Sequence, residues 1–240
     1  MNVGSFLASA LVSCRVSVVE LHVHSEYSYD GRDPVELIVA QAAAIGVDAL
    51  AITDHDDFRA AAELQELAPQ EGIIPIPGME VTSAAGHVLA LGIDEPIPPG
   101  LRFDATLDAI AEAGGISVIP HPFQRSRHGV AAKVDATAMA AADAVEVYNS
   151  RLLTGRSNRR AARFARSRGL AATAGSDAHI AEMVGQAVTH VDATADDAES
   201  ILEAVAAGAT TVEGSRTPWR ISLRQFAGGV RRRAEHLISE

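Results

Sequence analysis

The sequence predicts an α/β barrel, and three observations predict it. Short apolar runs alternate with amphipathic helical stretches about seven times along the 240 residues, the signature of repeated β-then-α units. So many units in one chain favour a closed barrel over an open sheet. Histidines and carboxylates fall just past the apolar runs, at the strand ends where an α/β barrel carries its site.

The elements read off in order. Val16 to His22 is a short apolar strand, and Pro34 opens a helix to Ile45 that Gly46 ends. Asp48 to Ile52 is a buried strand, and Phe58 to Leu67 a helix. Ile73 to Glu80 is a strand made irregular by two prolines, followed by a strand from Gly86 to Gly92. A helix over Asp104 to Ala113 stops at Gly114-Gly115, before the strand Ile116 to Ile119. Helix Val134 to Ala142 precedes strand Ala144 to Val147, and helix Ser157 to Arg168 precedes strand Leu170 to Thr173. Asp196 to Ala207 is helical, and Thr210 to Glu213 is a last strand. No linker breaks residues 15–215, which read as one domain between an extension, 1–14, and a C-terminal basic helix, 216–240.

Composition narrows the function. Hydrophobic residues make up 48% and aromatics 4%, with 45 alanines, so the core is built from Ala, Val, Ile and Leu. A net charge of -11 argues against a global nucleic-acid clamp, and no stable duplex partner is expected. One cysteine, Cys14, excludes an internal disulfide framework and a Cys-rich zinc site. No apolar run is long enough for a membrane span, and a cytoplasmic protein is expected. Leu11-Val12-Ser13-Cys14 resembles a lipoprotein cleavage box, but no basic residue precedes Arg15. The tail from Arg216, with Arg220, Arg224 and Arg231 to Arg233, reads as a helix packed on the barrel, or as a surface for nucleic acid or anionic membrane.

The candidate site gathers at the strand ends. His22 and His24 end the first strand, Asp54 and His55 follow the second, and Glu80 ends the third. His87 opens the fourth, His121 follows the fifth, and Asp177 and His179 follow the seventh. His-x-His on a strand turns both rings to one side, which suits two ligands of one metal. So many buried donors would be costly without a cation, and they are too many for one ion. A mixed His and carboxylate set suits Zn, Mn or Fe better than Ca or Mg.

His22-Val23-His24-Ser25 with Tyr29-Asp30-Gly31, then Thr53-Asp54-His55, Glu80, His121-Pro122 and Ser176-Asp177-Ala178-His179, resembles the PHP family, the polymerase and histidinol phosphatase superfamily of metal-dependent phosphoesterases. The resemblance covers Val16 to Val191. It implies a distorted seven-stranded, TIM-like barrel with two or three divalent ions. One ion would be held by His22, His24, Glu80 and Asp177, a second by Glu80, His87 and His121, and a third by Asp30, His55 and His179.

The expected reaction is hydrolysis of a small-molecule or nucleotide phosphomonoester by a metal-bridging hydroxide. Glu80, Asp177 and His179 would be catalytic, and Asp54 would orient a ligand histidine. Arg125, Arg127 and His128 are candidate phosphate binders, with Tyr148, Asn149 and Arg151 on the same rim. The alternatives are an amidohydrolase-like C–N hydrolase, which usually bridges its ions with a carboxylated lysine, and a non-catalytic interaction module. Lys133 is the only lysine. Relatives resembling nucleoside bisphosphate phosphatases carry an inserted domain between the positions of His87 and His121, where only 33 residues stand here.

Overall fold

The computed structural model describes residues 16–216 apart from 153–154 and 193–196. The expected extension 1–14 with Cys14, the start of the helix at Asp196, and all but the first residue of the basic helix 216–240 lie outside the described residues. The elements run β1 (Val16–Glu20), α1 (Val35–Ala44), β2 (Ala49–Ala51), α2 (Arg59–Leu67), β3 (Ile74–Ile76), β4 (Gly78–Thr82), β5 (His87–Leu91) and α3 (Phe103–Glu112). They continue as β6 (Ile116–Ile119), α4 (Ala136–Met139), β7 (Ala144–Asn149), α5 (Arg156–Arg168), β8 (Ala171–Gly175), β9 (Ala187–Asp192), α6 (Ala198–Ala206) and β10 (Thr210–Gly214).

The strands form a distorted α/β barrel of two five-stranded sheets, β10-β9-β1-β2-β3 and β4-β5-β6-β7-β8. Strands β1, β2 and β3 are parallel, as are β6, β7 and β8. Single bridges join the two sheets near the strand ends, His55 with Glu80 and Val23 with Ala178. All four of these residues are, or adjoin, predicted ligands, so the seam between the sheets is also the floor of the site.

Several expectations need correction. The strand expected over Ile73 to Glu80 breaks at Pro77 into β3 and β4, which belong to different sheets. Proline lacks an N–H and cannot continue a ladder, so the chain changes sheet there. Strand β9 was not anticipated, and it pairs antiparallel with both β1 and β10. The pairs β4–β5 and β5–β6 are antiparallel too, because β4 turns back into β5 through a short loop with no helix. The helix expected over Val134 to Ala142 is only the single turn α4, capped by Asp135, whose carboxylate accepts from the Thr137 and Ala138 amides.

Helices cover the barrel with apolar stripes. Helix α1 buries Val35, Ile38, Val39 and Ala42 at helical spacing, and α2 buries Ala60, Ala61 and Leu64. Leu21, Leu89, Leu91, Val118 and Val191 fill the space between the sheets. Each large side chain fully buried this way contributes roughly 1.5–3 kcal/mol.

Candidate metal centre

All nine predicted ligands converge at one end of the barrel. His22, His24, Glu80, His87, His121, Asp177 and His179 are buried, and Asp30 and His55 sit partly exposed at the mouth. Four groups place one ligand atom per residue within 4.8 Å of each other: His24, Asp30, His55 and His179; His22, His24 and Asp177; His22, Glu80 and His121; and His55, Glu80 and His87. Glu80 is the hub. Its Oε2 lies 3.4, 3.3 and 3.3 Å from His22 Nε2, His24 Nε2 and His55 Nδ1, and its Oε1 lies 2.7 and 3.4 Å from His87 Nδ1 and His121 Nε2.

The donors fit a divalent ion better than they fit each other. Among the described residues, His24 Nε2, His55 Nδ1, His87 Nδ1, His121 Nδ1 and Glu80 Oε1 are buried with no partner in hydrogen-bonding geometry. His87 Nδ1 and Glu80 Oε1 are only 2.7 Å apart, yet the N–H direction does not aim at the oxygen. Lone pairs that converge without pointing at one another are costly unless a cation lies among them.

The backbone is shaped for this convergence. His121 and Asp177 have φ of 32° and 52°, in the left-handed region that non-glycine residues rarely enter. At Gly31 a Cβ would lie 1.8 Å from the Ser25 carbonyl oxygen, so only glycine lets the loop bring Asp30 over the centre.

Ring orientation is set by outer partners. Glu146 Oε1 lies 2.9 Å from His22 Nδ1, which assigns the proton to Nδ1 and leaves Nε2 for a metal. The other oxygen of Glu146 accepts from the His121 amide at 2.8 Å and from Asn149 Nδ2 at 3.0 Å. Ser28 Oγ holds His24 Nδ1 at 3.1 Å, and the Asp177 carbonyl holds His179 Nδ1 at 2.9 Å. Asp54, the expected orienter, makes bonds at 2.6 Å to the amide and hydroxyl of Ser25 and a further one to Ser28, so it reaches the His24 ring only through Ser28. Glu146 contacts a ligand ring directly, and it was not expected. It sits inside the apolar strand Ala144–Asn149, and its only sequence signal is a charge on a strand otherwise made for burial.

The cluster is strongly coupled. Burial works against ionised Glu80, but His55, His87 and His22 outweigh it and hold its carboxyl well below the usual range. Burial also disfavours charged His22, yet Glu146, Glu80 and Asp177 raise it well above an ordinary imidazole. His24 is pushed well down by burial and by the neighbouring His179 and His55. Burial and Arg151 lower His179.

The expected phosphate binders are placed unevenly. His128 stacks on His87 with ring centroids 5.0 Å apart, while Arg125 is exposed on a 3-10 turn. The position of the Arg127 side chain is outside what is described. Arg151 enters the centre: its Nη1 donates to Asp177 Oδ1 at 2.9 Å and lies 2.9 and 2.7 Å from the two ring nitrogens of His179. Asn149 donates to Asp177 Oδ2 at 3.2 Å. Tyr29 stacks on His55 at 4.8 Å with most of its surface exposed. Lys133, the bridging lysine an amidohydrolase would need, is exposed and donates to the Ala84 carbonyl.

The family model described as PHP-associated matches residues 155–210. A Bacteroides vulgatus two-domain protein containing a predicted PHP-like metal-dependent phosphoesterase superposes with a TM-score of 0.72 at 21% identity, over 84% of this chain and 65% of that one. The chain belongs to the PHP family. An uncharacterised Methanocaldococcus jannaschii protein is 30% identical over 141 residues, 55% of this chain and 81% of the relative. A phosphoribosyl 1,2-cyclic phosphate 1,2-diphosphodiesterase of Eggerthella lenta is 37% identical over 87 residues, 34% of this PHP chain and 33% of that relative. The lesion-specific endonuclease Q of Pyrococcus furiosus shares the fold with a TM-score of 0.63 at 15% identity, over 82% of this chain and 58% of that one. An amidohydrolase from Chromobacterium violaceum does so with 0.57 at 19% identity, over 86% and 96%.

Proposed function

We propose that this PHP chain is a metal-dependent phosphoesterase that hydrolyses a phosphomonoester at the centre around Glu80. The observation that supports this reading most is the set of buried ring nitrogens and the Glu80 oxygen that have no hydrogen-bond partner among the described residues, with the Arg151 guanidinium placed against the same cluster. His22, His24, Asp30, His55, Glu80, His87, His121, Asp177 and His179 would hold two or three divalent ions, with Zn, Mn or Fe suiting the donor set. Such ions, when bound, supply a water of lowered pKa and positive charge for the phosphoryl oxygens.

The chain's own residues have separate tasks. Arg151 presents a fixed pair of N–H donors to the nonbridging oxygens of the phosphate, leaving Asp177 as it does so. Asn149 then keeps Asp177 in place through Oδ2. His128, exposed above His87, is the ring positioned to give a proton to the leaving oxygen. Glu146, Ser28 and the Asp177 carbonyl fix three ligand rings in the tautomers that face inward. The walls of the centre are buried, so charge interactions inside it are poorly screened, while Asp30, His55 and Tyr29 mark the entrance.

The test is metal content together with hydrolysis of an aryl phosphate, with and without chelator, for the natural chain and His22→Ala. Two or three equivalents of metal and chelator-sensitive phosphate release, lost in His22→Ala, are expected. Tight metal without release of phosphate from any of a panel of phosphate esters would refute the reading.

A further inference from the structure

Helix α5 carries a charge pattern that nothing among the described residues accounts for. Arg156, Arg159, Arg160, Arg163, Arg166 and Arg168 all lie in its 13 residues, and all six are exposed. At about 100° per residue, the first five share an outward face roughly 120° wide, opposite the buried Ala161, Phe164 and Ala165. Among the described residues none of those five forms an ion pair with an acid, although the chain as a whole carries a net charge of -11. Arg168 lies off this face, within electrostatic reach of Asp135.

The arrangement is unfavourable for the isolated helix. Arg156/Arg160 and Arg159/Arg163 are like-charge pairs at i,i+4, and three further pairs repel at i,i+3. The first turn holds no acidic residue, so cations sit at the positive end of the helix dipole. A local rule broken without internal compensation marks a surface built for an outside partner.

The ridge is continuous with the metal centre. Asn158, in the first turn of α5, accepts from the Asn149 amide and donates to the Asn149 carbonyl, and Asn149 also holds Asp177. Ser157 donates to Gln124, in the loop that carries His121 and His128, and Arg160 stacks on Phe123 of that loop at 4.2 Å. The five arginines of this face therefore run from the rim for about 15 Å along the barrel wall.

We propose that the outer face of α5 is a track for the backbone of a single-stranded nucleic acid, one end of which enters the metal centre. A row of exposed guanidiniums suits successive backbone phosphates. The exposed ring of Tyr29 at the mouth offers a face on which a terminal base can stack. An anionic membrane would need apolar side chains among the arginines, and this face has none exposed. A single strand can bend from the wall into a recessed centre, which a stiff duplex cannot. The proposal names the substrate class of the phosphoesterase reading and rests on it for the role of the end that enters the centre.

The experiment is fluorescence anisotropy of a short phosphorothioate oligothymidine with the metal-replete full chain, as a function of salt. The comparison protein is Arg156→Gln/Arg160→Gln/Arg163→Gln, and its melting temperature and aryl phosphate hydrolysis are measured alongside. Five phosphate contacts predict a roughly hundredfold loss of affinity between about 50 and 200 mM salt, and two remaining contacts only about sevenfold. Binding with the steep salt dependence in the natural chain, and the shallow one in an intact triple variant, supports the track. No binding, or binding that the triple variant does not weaken, overturns it, and so does stronger binding to phosphatidylserine vesicles than to the strand. Oligonucleotide binding without hydrolysis of any phosphate ester would instead refute the phosphoesterase reading and leave the track standing.

Discussion

Replacing Glu146 by Gln tests how the centre is held together. Glu146 accepts three bonds, from His22 Nδ1 at 2.9 Å on one oxygen, and from the His121 amide and Asn149 on the other. A glutamine has one acceptor oxygen and one NH2. If the NH2 faces His121 and Asn149, two buried donors meet a donor. If it faces His22, the bonds to His121 and Asn149 are kept and the His22 bond survives with its donor reversed, so that orientation is preferred. His22 must then accept at Nδ1 and carry its proton on Nε2, which points at Glu80 Oε2 3.4 Å away. The nitrogen that would hold a metal is closed by a proton. The expected result is a 10–100-fold loss of metal affinity, the range typical for removing an outer partner of a ligand histidine. Stability should fall by only about 1–2 kcal/mol, because a bond to a carboxylate is exchanged for a neutral one and no cavity forms. Chelator-competition titration of Mn or Zn into the metal-free protein measures the first, urea unfolding the second, and nitrogen-15 shifts of the His22 ring the tautomer. Affinity within twofold of the natural chain, with His22 still protonated at Nδ1, would refute the reasoning.

Further outcomes follow from the same geometry. Arg151→Gln removes a guanidinium that lies against Asp177 and His179. It should bind metal at least as tightly as the natural chain while losing about 100–1000-fold in kcat/KM on a phosphate ester, whereas a merely structural arginine would weaken both. Glu20 is fully buried in the barrel, and burial pushes its carboxyl up to about 7 from 4.5, against bonds from the Ser176, Gly185 and His22 amides. Between those values the unfolded chain has lost the proton and the folded one keeps it, so the contribution of Glu20 is fully present below pH 4.5 and falls by about 3 kcal/mol as pH rises to 7. Urea unfolding of the metal-free natural chain and Glu20→Gln checks it: the variant's stability relative to the natural chain should climb by that amount across the window, and a flat difference would contradict it. Gly31→Ala puts a Cβ against the Ser25 carbonyl, and it should cost at least about 2 kcal/mol and weaken the group around Asp30, read by thermal melting and metal titration.

The sequence by itself determined the α/β class, most of the strands and helices, and the nine side chains that meet around Glu80. Eight of those side chains were legible because strand-end histidines and carboxylates repeat with the β-then-α period, and because His-x-His fixes two rings on one side of the chain, while Asp30, in the loop after β1, came only with the family resemblance. Tertiary structure decided the rest. Hydrophobic runs say that a strand is buried but not which way its neighbour runs, so the antiparallel pairs at β5 and β9 and the change of sheet at Pro77 came only from the fold. Glu146 lies inside β7 and meets His22 from 124 positions away, and no spacing rule reaches that far. Arg151 was one rim residue among several until the fold set it against Asp177 and His179. The α5 arginines became a single ridge only when the core took the other side of the helix. Local pattern fixes what a residue can be, and the closing of the two sheets fixes which distant residue it meets.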